Sequence, residues 1–539
     1  MPDPRTSRLP IGAGAAGLYA LAVAAYTLPF IAARELFYRD EVRYGGIVNE
    51  MMARGAWLTQ TIAGEPYLDK GPVYFMGLRA GAELAGGPSP AAFLAVNAVT
   101  VLLFAIAAHV ALRWLGTAER VAERAGLILL SLPFVAFYAL TLRMDPLFAG
   151  AIVLSFAAYA RALEDERPLR WFVAGGALAG LAVLIKGPFG IVFPIGGAVA
   201  AALLTGRARR LRSGGFALSL LVAAALVGVW FLALLAEFGW PALVNIAEVQ
   251  LVERALNSVD GRKPWTTYIY ALPLVLLPWL VLAPALRGAG AGRDRGVVLW
   301  AIYTIVALVV MQSVAQKSAK YLFPVLPPLT LCLAIALDRA EARAPWAPRA
   351  AMAVAAMALA GLFGALLWGA SNDAPWLADA LQHASAGSLR GFAIWGLAAA
   401  AVLALAVAVK GRLRVLAVIA ATAVMFTGLK ATLSDDLDRW LDPGPAVAML
   451  EAALPPDAPV VVVDIYRGTF SWALDRPHAY VFGQDAAAEA VARAARPVGI
   501  LVDAEVSARA PAWLDGAERV GTHPVESLLV EAYVLPAAP

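Results

Sequence analysis

The residues most able to do chemistry lie in one short stretch, Tyr38-Arg39-Asp40-Glu41-Val42-Arg43-Tyr44. Two adjacent carboxylates, two arginines and two tyrosines cluster there, directly after the first long apolar segment, residues 11–33. Ionisable groups beside membrane hydrocarbon carry a desolvation cost, so such a cluster is by default a candidate functional site. Tyrosines and arginines at a membrane boundary also serve as plain headgroup anchors. The stretch by itself leaves both interpretations open.

Four further polar motifs stand at the ends of apolar segments. They are Asp69-Lys70-Gly71-Pro72, Arg143-Met144-Asp145-Pro146, Lys186-Gly187-Pro188 and Lys317-Ser318-Ala319-Lys320-Tyr321. Any one of them is explained by a long side chain that reaches from the hydrocarbon to the membrane surface. Four such turns on one side of the membrane, beside Asp40 and Glu41, favour a shared site.

The residue types in these motifs indicate one kind of chemistry. Lysine and arginine suit a phosphate or pyrophosphate group, as point charges or as bidentate clamps. A carboxylate beside them suits a general base that takes a proton from an attacking hydroxyl. Glycosyl transfer from a lipid-linked sugar phosphate requires both, and the lipid tail of such a donor explains a site at the bilayer.

Composition places this cluster in a membrane protein. Of the 539 residues, 61% are hydrophobic and 15% are charged, whereas soluble domains carry roughly 25% charged residues. The single cysteine, Cys332, excludes an internal disulfide framework. The basic residues lie in short loops between apolar segments, which gives no indication of nucleic-acid binding. We therefore expect an α-helical polytopic protein in contact with membrane lipids.

The distribution of basic residues predicts the topology, because loops rich in arginine and lysine stay cytoplasmic. Those loops are Arg113–Arg124, Arg161–Arg170, Arg207–Arg212, Arg287–Arg295, Arg339–Arg349 and Lys410–Arg414. Thirteen spans follow, at about residues 11–33, 90–112, 125–142, 146–163, 169–185, 188–205, 215–237, 268–286, 296–315, 321–338, 350–370, 390–409 and 413–432. All the polar motifs and the C-terminal tail are then external.

The first external loop, residues 34–89, is expected to contain two helices that lie in the membrane interface. Asp40–Arg54 places its larger apolar residues roughly on one side, and Gly55 stands where a helix C-cap is expected. Gly71–Gly86 is apolar but only about sixteen residues long. Counting that segment as a span would move every arginine-rich loop to the outside.

The last hundred residues differ in character, with more charge and proline from Asp435 onward. Strands are predicted at Pro459–Asp464, Ala479–Phe482, Gly499–Val502 and Leu528–Val534, with a helix at Asp485–Ala495. Strands that alternate with helices indicate a small α/β domain. We expect a membrane domain over residues 1–433 and a second domain, for support or recognition, over residues 434–539.

The motifs together resemble those of the bacterial aminoarabinose transferase and protein O-mannosyltransferase superfamily. The resemblance covers about residues 35–340 and rests on the run from Asp40 through Gly64-Glu65-Pro66-Tyr67-Leu68-Asp69-Lys70-Gly71-Pro72 and on the later Lys186 and Lys320-Tyr321-Leu322-Phe323-Pro324 motifs. It implies a GT-C membrane fold and inverting transfer of a sugar from a polyprenyl-phosphate donor, without a metal or other cofactor. It further implies an active site and a C-terminal domain on the periplasmic face of the inner membrane.

Carried over residue by residue, the resemblance makes Asp40 the catalytic residue, a general base. Donor-pocket positions are Arg43, Tyr44, Tyr67 and Lys70, with Lys70 as the phosphate ligand, and Asp145 is a second acidic position near the acceptor. The other substrate-binding candidates are Glu41, Asp69, Arg143, Lys186, Lys320 and Tyr321.

The sequence departs from the family pattern in three ways. Lys70-Gly71-Pro72 replaces the usual Lys-Pro-Pro, and Asp69 replaces the glutamate before that lysine. Gly261-Arg262-Lys263-Pro264-Trp265 has no histidine where aminoarabinose transferases often have one. The last departure argues against a bound metal and against lipid A as the particular acceptor. The acceptor, whether lipid, glycan or protein, and the sugar, whether hexose or pentose, stay open.

Two other classes of protein also keep charged residues near a membrane. A transporter or flippase is the alternative, although internal repeats and charges in mid-span would be expected of it. A structural or assembly protein is the third class, and the dense cluster of carboxylates and cations argues against it.

Overall fold

The computed structural model describes residues 11–31, 34–37, 39–246, 248, 263–286, 294–509 and 511–537. Within these ranges the chain is mostly helical, with one small sheet near the C-terminus. Tyr38, Gly261 and Arg262, which the sequence singled out, lie outside the described residues.

Ten helices of the described residues are long and apolar enough to cross a membrane. They are Ala13–Ile31, Pro90–Trp114, Asp145–Glu164, Leu169–Lys186, Gly214–Phe238, Arg295–Ser313, Ala319–Arg343, Trp346–Ser371, Ala386–Ala408 and Arg412–Leu441. The first seven residues of Ala319–Arg343 form a 3₁₀ turn, Ala319–Val325. The predicted α-helical membrane fold is confirmed.

Two further apolar segments are bent helix pairs, which bring the candidate spans to as many as twelve. Glu119–Ser131 and Pro133–Ala139 meet at 70°, and Thr267–Val275 and Trp279–Leu286 meet at 99°. Proline stands at each break, at Pro133 and at Pro278. A proline lacks the N–H that would continue the helical ladder, which accounts for both bends.

The sixth predicted span, residues 188–205, forms the 16-residue helix Phe189–Leu204. Its length is about 24 Å at 1.5 Å per residue, which is less than the hydrocarbon core of about 30 Å. By length and composition the structure therefore supports up to twelve spans, where the sequence predicted thirteen.

The remaining helices are short. They are Trp240–Asn245, Ala378–His383, Gly444–Glu451, Gln484–Arg493 and Ala504–Ser507, with 3₁₀ turns at Ala208–Arg212, Pro375–Leu377 and Ala512–Leu514.

The first loop contains the two predicted helices, as Asp40–Ala53 and Val73–Leu84. A two-stranded hairpin, β1 (Thr61–Ile62) and β2 (Glu65–Pro66), connects them. Gly55 follows the first helix with φ +67°, the left-handed conformation expected of a terminating glycine.

Burial of the helix Asp40–Ala53 differs from the one-sided pattern expected of an interfacial helix. Val42, Ile47 and Met51 are fully buried as predicted, but Glu41 and Arg43 are also buried. Protein therefore surrounds most of this helix. Its charged residues are tolerated inside because each one meets an opposite charge.

Glu41 forms the ion pair that fixes this helix to the bundle. Arg34 donates from Nη1 and Nη2 to the two carboxylate oxygens of Glu41, at 2.6 and 2.9 Å, and both side chains are almost fully buried. The same carboxylate accepts the backbone N–H of Leu142 at 2.8 Å. The pair thus ties the first loop to the turn that precedes Arg143.

Asn97 fixes the same turn from the middle of the helix Pro90–Trp114. Its side-chain amide donates to three carbonyls of the segment 138–141, at 2.8 to 3.1 Å. Its Oδ1 accepts from the Tyr74 hydroxyl at 3.0 Å and from the backbone N–H of Arg143 at 3.1 Å. A fully buried amide whose hydrogen bonds are satisfied holds its neighbours in one arrangement.

The C-terminal sheet has five strands, which are β3 (Val460–Val463), β4 (His478–Val481), β5 (Val498–Asp503), β6 (Glu518–Val525) and β7 (Leu528–Leu535). Their order is β4-β3-β5-β7-β6, parallel among the first three strands and antiparallel for the last two. Four strands were predicted to within one or two residues, as was the helix Gln484–Arg493. Strand β6 was missed because Gly521 and Pro524 interrupt it, and it lies at the edge of the sheet, where proline is tolerated.

We expect Glu41→Ala to lower the free energy of unfolding by about 3–5 kcal/mol, because Arg34 then stays buried without a counter-charge. Glu65 is exposed in the same loop, so Glu65→Ala is the matched control and should stay within about 0.5 kcal/mol of the parent. Thermal unfolding of the purified proteins in detergent measures the difference. Equal melting temperatures for the two variants would contradict the structural role given to Glu41.

Candidate functional site

Asp40 is the first residue of its helix and lies between two arginines. Arg43, one turn later, pairs with Oδ1 of Asp40, and Arg143 pairs with Oδ2. The side chain of Asp40 keeps 15% of its surface exposed, so it is screened from bulk water and still accessible. The helix N-terminus adds a partial positive charge that favours an ionised carboxylate there.

Arg43 lies against three tyrosines. Its guanidinium carbon is 5.5 Å from the ring centre of Tyr67, 5.6 Å from that of Tyr44 and 4.9 Å from that of Tyr466. Burial lowers the pKa of Arg43, but Tyr67, Tyr466, Tyr44 and Asp69 together raise that pKa above its usual value. Arg43 is therefore a permanent cation that faces Asp40.

A second charged cluster surrounds Asp145, which begins the helix Asp145–Glu164 and is 4% exposed. Lys186, the last residue of its own helix, donates to Oδ1 of Asp145 and lies 5.0 Å from the ring centre of Tyr321. Lys320 lies close enough to Asp145 and Arg143 to interact with the charge of both. A carboxylate at a helix N-terminus and a lysine at a helix C-terminus both complement the helix dipoles.

Lys70 reaches the same end of the bundle through a close backbone approach. A Cβ atom at Gly71 would lie 2.1 Å from the carbonyl oxygen of Leu184, two residues before the end of the helix that Lys186 terminates. Only glycine permits that contact. The departure from the family's Lys-Pro-Pro motif therefore has a packing reason, and Lys70 Nζ donates to the carbonyl of Asp69 beside it at 3.1 Å.

The structure thus brings most of the predicted site residues together. Four cations (Arg43, Arg143, Lys186, Lys320) and three carboxylates (Asp40, Asp69, Asp145) meet there, with Tyr44, Tyr67 and Tyr321 around them and Lys70 next to Asp69. The cations outnumber the carboxylates, which suits a ligand with a negatively charged phosphate. The described residues hold no group of three His, Cys, Asp or Glu side chains placed to bind a metal.

Glu41 differs from the other predicted site residues. It contacts Arg34 and the backbone of Phe37 and Leu142. This geometry supports a positioning role for Glu41, where the sequence had suggested direct contact with substrate.

Three residues that the sequence analysis did not single out also shape the site: Arg34, Asn97 and Tyr466. A polar residue inside an apolar span signals a functional or structural contact, so Asn97 had a detectable signal. Tyr466 acts across a separation of 423 residues, which no local pattern reveals. Arg34 is seven residues from Glu41, but its further contact with the carbonyl of Leu140 spans 106 residues.

Comparisons with known proteins identify relatives of this chain. A sequence model of the family "Dolichyl-phosphate-mannose-protein mannosyltransferase" matches residues 69–232. The undecaprenyl phosphate-alpha-4-amino-4-deoxy-L-arabinose arabinosyl transferase 1 of Sodalis glossinidius is 30% identical over 325 residues, which are 58% of this chain and 56% of that protein. A similarly named transferase of Pseudomonas aeruginosa is 28% identical over 315 residues, 56% of each chain. The chain thus matches little more than half the length of these curated relatives.

The fold extends the likeness to nearly the whole chain. The crystal structure of ArnT from Cupriavidus metallidurans bound to undecaprenyl phosphate superposes with a TM-score of 0.74, covering 98% of this chain and 99% of that one at 22% identity. The family match and the named relatives confirm the resemblance to the superfamily that unites the bacterial aminoarabinose transferases and the protein O-mannosyltransferases, and the chain has the GT-C membrane fold.

Proposed function

We propose that this protein is a glycosyltransferase that moves a sugar from a polyprenyl-phosphate donor to a hydroxyl of a lipid, glycan or protein acceptor. The observation that carries the proposal is Asp40, a partly exposed carboxylate held between Arg43 and Arg143 in a site with an excess of cations. The names of the relatives support the donor class. They do not favour the alternative of a transporter or flippase.

In the proposed reaction, the acceptor oxygen attacks the anomeric carbon of the donor while the bond from that carbon to the phosphate oxygen breaks. Asp40 takes the proton of the attacking hydroxyl. Polyprenyl phosphate leaves with the bonding electron pair, and the cations stabilise the charge that develops on it. Because the nucleophile and the leaving group lie on opposite sides of the anomeric carbon, the transfer inverts its configuration.

The arginines of the site have a double role in this scheme. Arg43 and Arg143 both pair with Asp40, and while they do so its oxygens are poorly able to accept a proton. A donor phosphate competes for the same guanidinium groups, since Arg binds phosphate and carboxylate with the same bidentate geometry. Donor binding would then free the carboxylate of Asp40 to accept the proton of the acceptor hydroxyl. Catalysis would therefore require the donor to bind before the acceptor reacts.

The other charged residues take the remaining roles in this proposal. Lys70 binds the donor phosphate together with Arg43, and Tyr44 and Tyr67 form the apolar wall against the guanidinium. Asp145, held by Lys186 and close to Lys320 and Tyr321, faces the acceptor side.

The site is further proposed to face the periplasm, with residues 1–433 as the catalytic membrane domain and residues 434–539 as a periplasmic domain. The support is the arginine distribution, which assigns the opposite loops to the cytoplasm when the short helix Phe189–Leu204 is counted as a crossing segment. The helix Arg412–Leu441 continues from the bundle into the second part, so the proposed boundary falls within a helix.

Asp40→Asn should lower the transfer rate about 10²–10⁴-fold, because an amide keeps the shape of the carboxylate but cannot take the proton. Purified protein in proteoliposomes, supplied with undecaprenyl-phosphate sugars and membrane lipid extract, allows undecaprenyl phosphate release and product mass to be followed. Asp379→Asn, at an exposed position, is the matched control and should turn over at the parent rate. Near-normal turnover by Asp40→Asn would contradict the assignment of Asp40 as the general base.

Lys70→Ala should weaken binding of undecaprenyl phosphate by about 1.5–3 kcal/mol, the cost of losing a charge-assisted contact. Lys70→Arg should weaken it less because the charge is kept. The exposed Lys410 provides the matched control, as Lys410→Ala. Unchanged affinity in Lys70→Ala would remove Lys70 from the phosphate site.

The orientation has its own test. After Cys332→Ala, single cysteines at the exposed positions Glu65 and Ser371 should react with a membrane-impermeant maleimide in right-side-out vesicles. A cysteine at the exposed position Ala208 should react only after permeabilisation. Labelling of Ala208→Cys in intact vesicles would reverse the topology.

A further inference from the structure

A loop of the C-terminal sheet lies directly on the helix that carries Asp40. The loop runs from Ile465 to Leu474, between β3 and β4. A Cβ atom at Gly45 would lie 2.7 Å from Cε3 of Trp472, and one at Gly46 would lie 2.5 Å from Cβ of Ser471. The paired glycines of the helix therefore permit a contact that any other residue would block.

The loop makes the reciprocal contact with Arg43. Gly468 has φ +94°, and a Cβ atom there would lie 2.6 Å from Cγ of Arg43. Arg467 donates to the carbonyl of Ile62 in the first-loop hairpin at 3.2 Å. Trp472 packs edge to face against Phe93, with ring centres 5.7 Å apart. The loop is thus fitted to both the first loop and the membrane bundle.

This contact between the loop and the helix places Tyr466 beside Arg43. Arg43 donates from Nη1 to its hydroxyl oxygen while Nη2 pairs with Asp40. The ring of Tyr466 also lies 4.9 Å from the guanidinium carbon of Arg43. Because the phenol oxygen accepts from Arg43, its own hydrogen is directed elsewhere. Tyr466 keeps 37% of its surface exposed, whereas Thr469 and Phe470 are fully buried.

The C-terminal sheet, in turn, holds Tyr466 in place. The Thr469 hydroxyl donates to the carbonyl of Tyr466 at 2.6 Å, and its backbone N–H donates to the same carbonyl at 3.1 Å. The Tyr480 hydroxyl, on β4, accepts the backbone N–H of Phe470 at 2.8 Å. Asp464, at the start of the loop, has φ +54° and accepts from the backbone N–H of Gly483 at 2.7 Å. These contacts fix the loop from the sheet side.

We propose that Tyr466 is a positioning residue of the transfer site, which holds Arg43 in the orientation that binds the donor phosphate and pairs with Asp40. This inference rests on the proposed function. It gives the C-terminal domain a direct part in donor binding, beyond the support or recognition expected from its sequence. A guanidinium held at Nη1 by Tyr466 keeps its orientation when the donor phosphate replaces Asp40 at Nη2, which lowers the entropic cost of binding.

The test measures binding of undecaprenyl phosphate to the full-length protein in detergent, for Tyr466→Phe, Arg43→Lys and the double variant. Tyr466→Phe should raise Kd about tenfold, the loss expected for one hydrogen bond to a charged group. Arg43→Lys keeps the charge but lacks the planar guanidinium whose fixed donor directions bond Tyr466 and Asp40, so the double variant should be clearly less impaired than the product of the single effects. Tyr533→Phe is the matched control, because its hydroxyl also bonds a charged group, Glu531, in the same sheet, and its Kd should be unchanged.

The double variant separates a positioning role from general destabilisation. A folding defect caused by Tyr466→Phe would raise Kd by the same factor in the parent and in the Arg43→Lys background. A Kd within twofold of the parent for Tyr466→Phe, or additive effects in the double variant, would overturn the inference. A parent protein that binds undecaprenyl phosphate but transfers none of the undecaprenyl-phosphate sugars would count against the proposed function alone.

Discussion

The site depends first on the buried pair of Arg34 and Glu41. The two ions cost desolvation energy, and they are stable inside only because almost every donor and acceptor around them is used. Arg34 donates to the carbonyl of Leu140 and Glu41 accepts from the N–H of Leu142. The pair therefore sets the distance between the helix that carries Asp40 and the turn that carries Arg143. Arg43 and Arg143, which both pair with Asp40, are therefore positioned relative to each other by the Arg34–Glu41 pair.

The rest of the site is assembled from helix ends. Asp145 begins one helix, Lys186 ends another, and Lys320 lies in the 3₁₀ turn that opens a third. A membrane-spanning helix ends where the hydrocarbon ends, so the helix termini lie at a similar depth in the membrane. Charged side chains have a smaller desolvation cost there. The helix dipoles there stabilise a carboxylate at the N-terminus and a lysine at the C-terminus. The same geometry leaves an excess of cations for a phosphate group.

The helix Asp40–Ala53 is enclosed from two directions, by the bundle on one side and by the loop after β3 on the other. Gly45 and Gly46 make the second contact possible, and Gly71 makes a similar approach possible against Leu184. The role of these glycines is steric. They let backbone segments come close enough for long charged side chains to meet.

The sequence by itself determined the membrane class, the positions of the apolar helices to within a few residues, most strands of the C-terminal sheet and the polar motifs that form the site. Each of these is a local property, because span length, strand pattern and turn residues are written in contiguous stretches. Only the tertiary structure decided the partners: that Glu41 pairs with Arg34, that Arg143 shares Asp40 with Arg43, and that Tyr466 joins them from more than 400 residues away. The bends at Pro133 and Pro278 and the edge position of β6 were also decided there. A charged group has no local signal for which opposite charge it will meet, because that choice is made by the packing of distant segments.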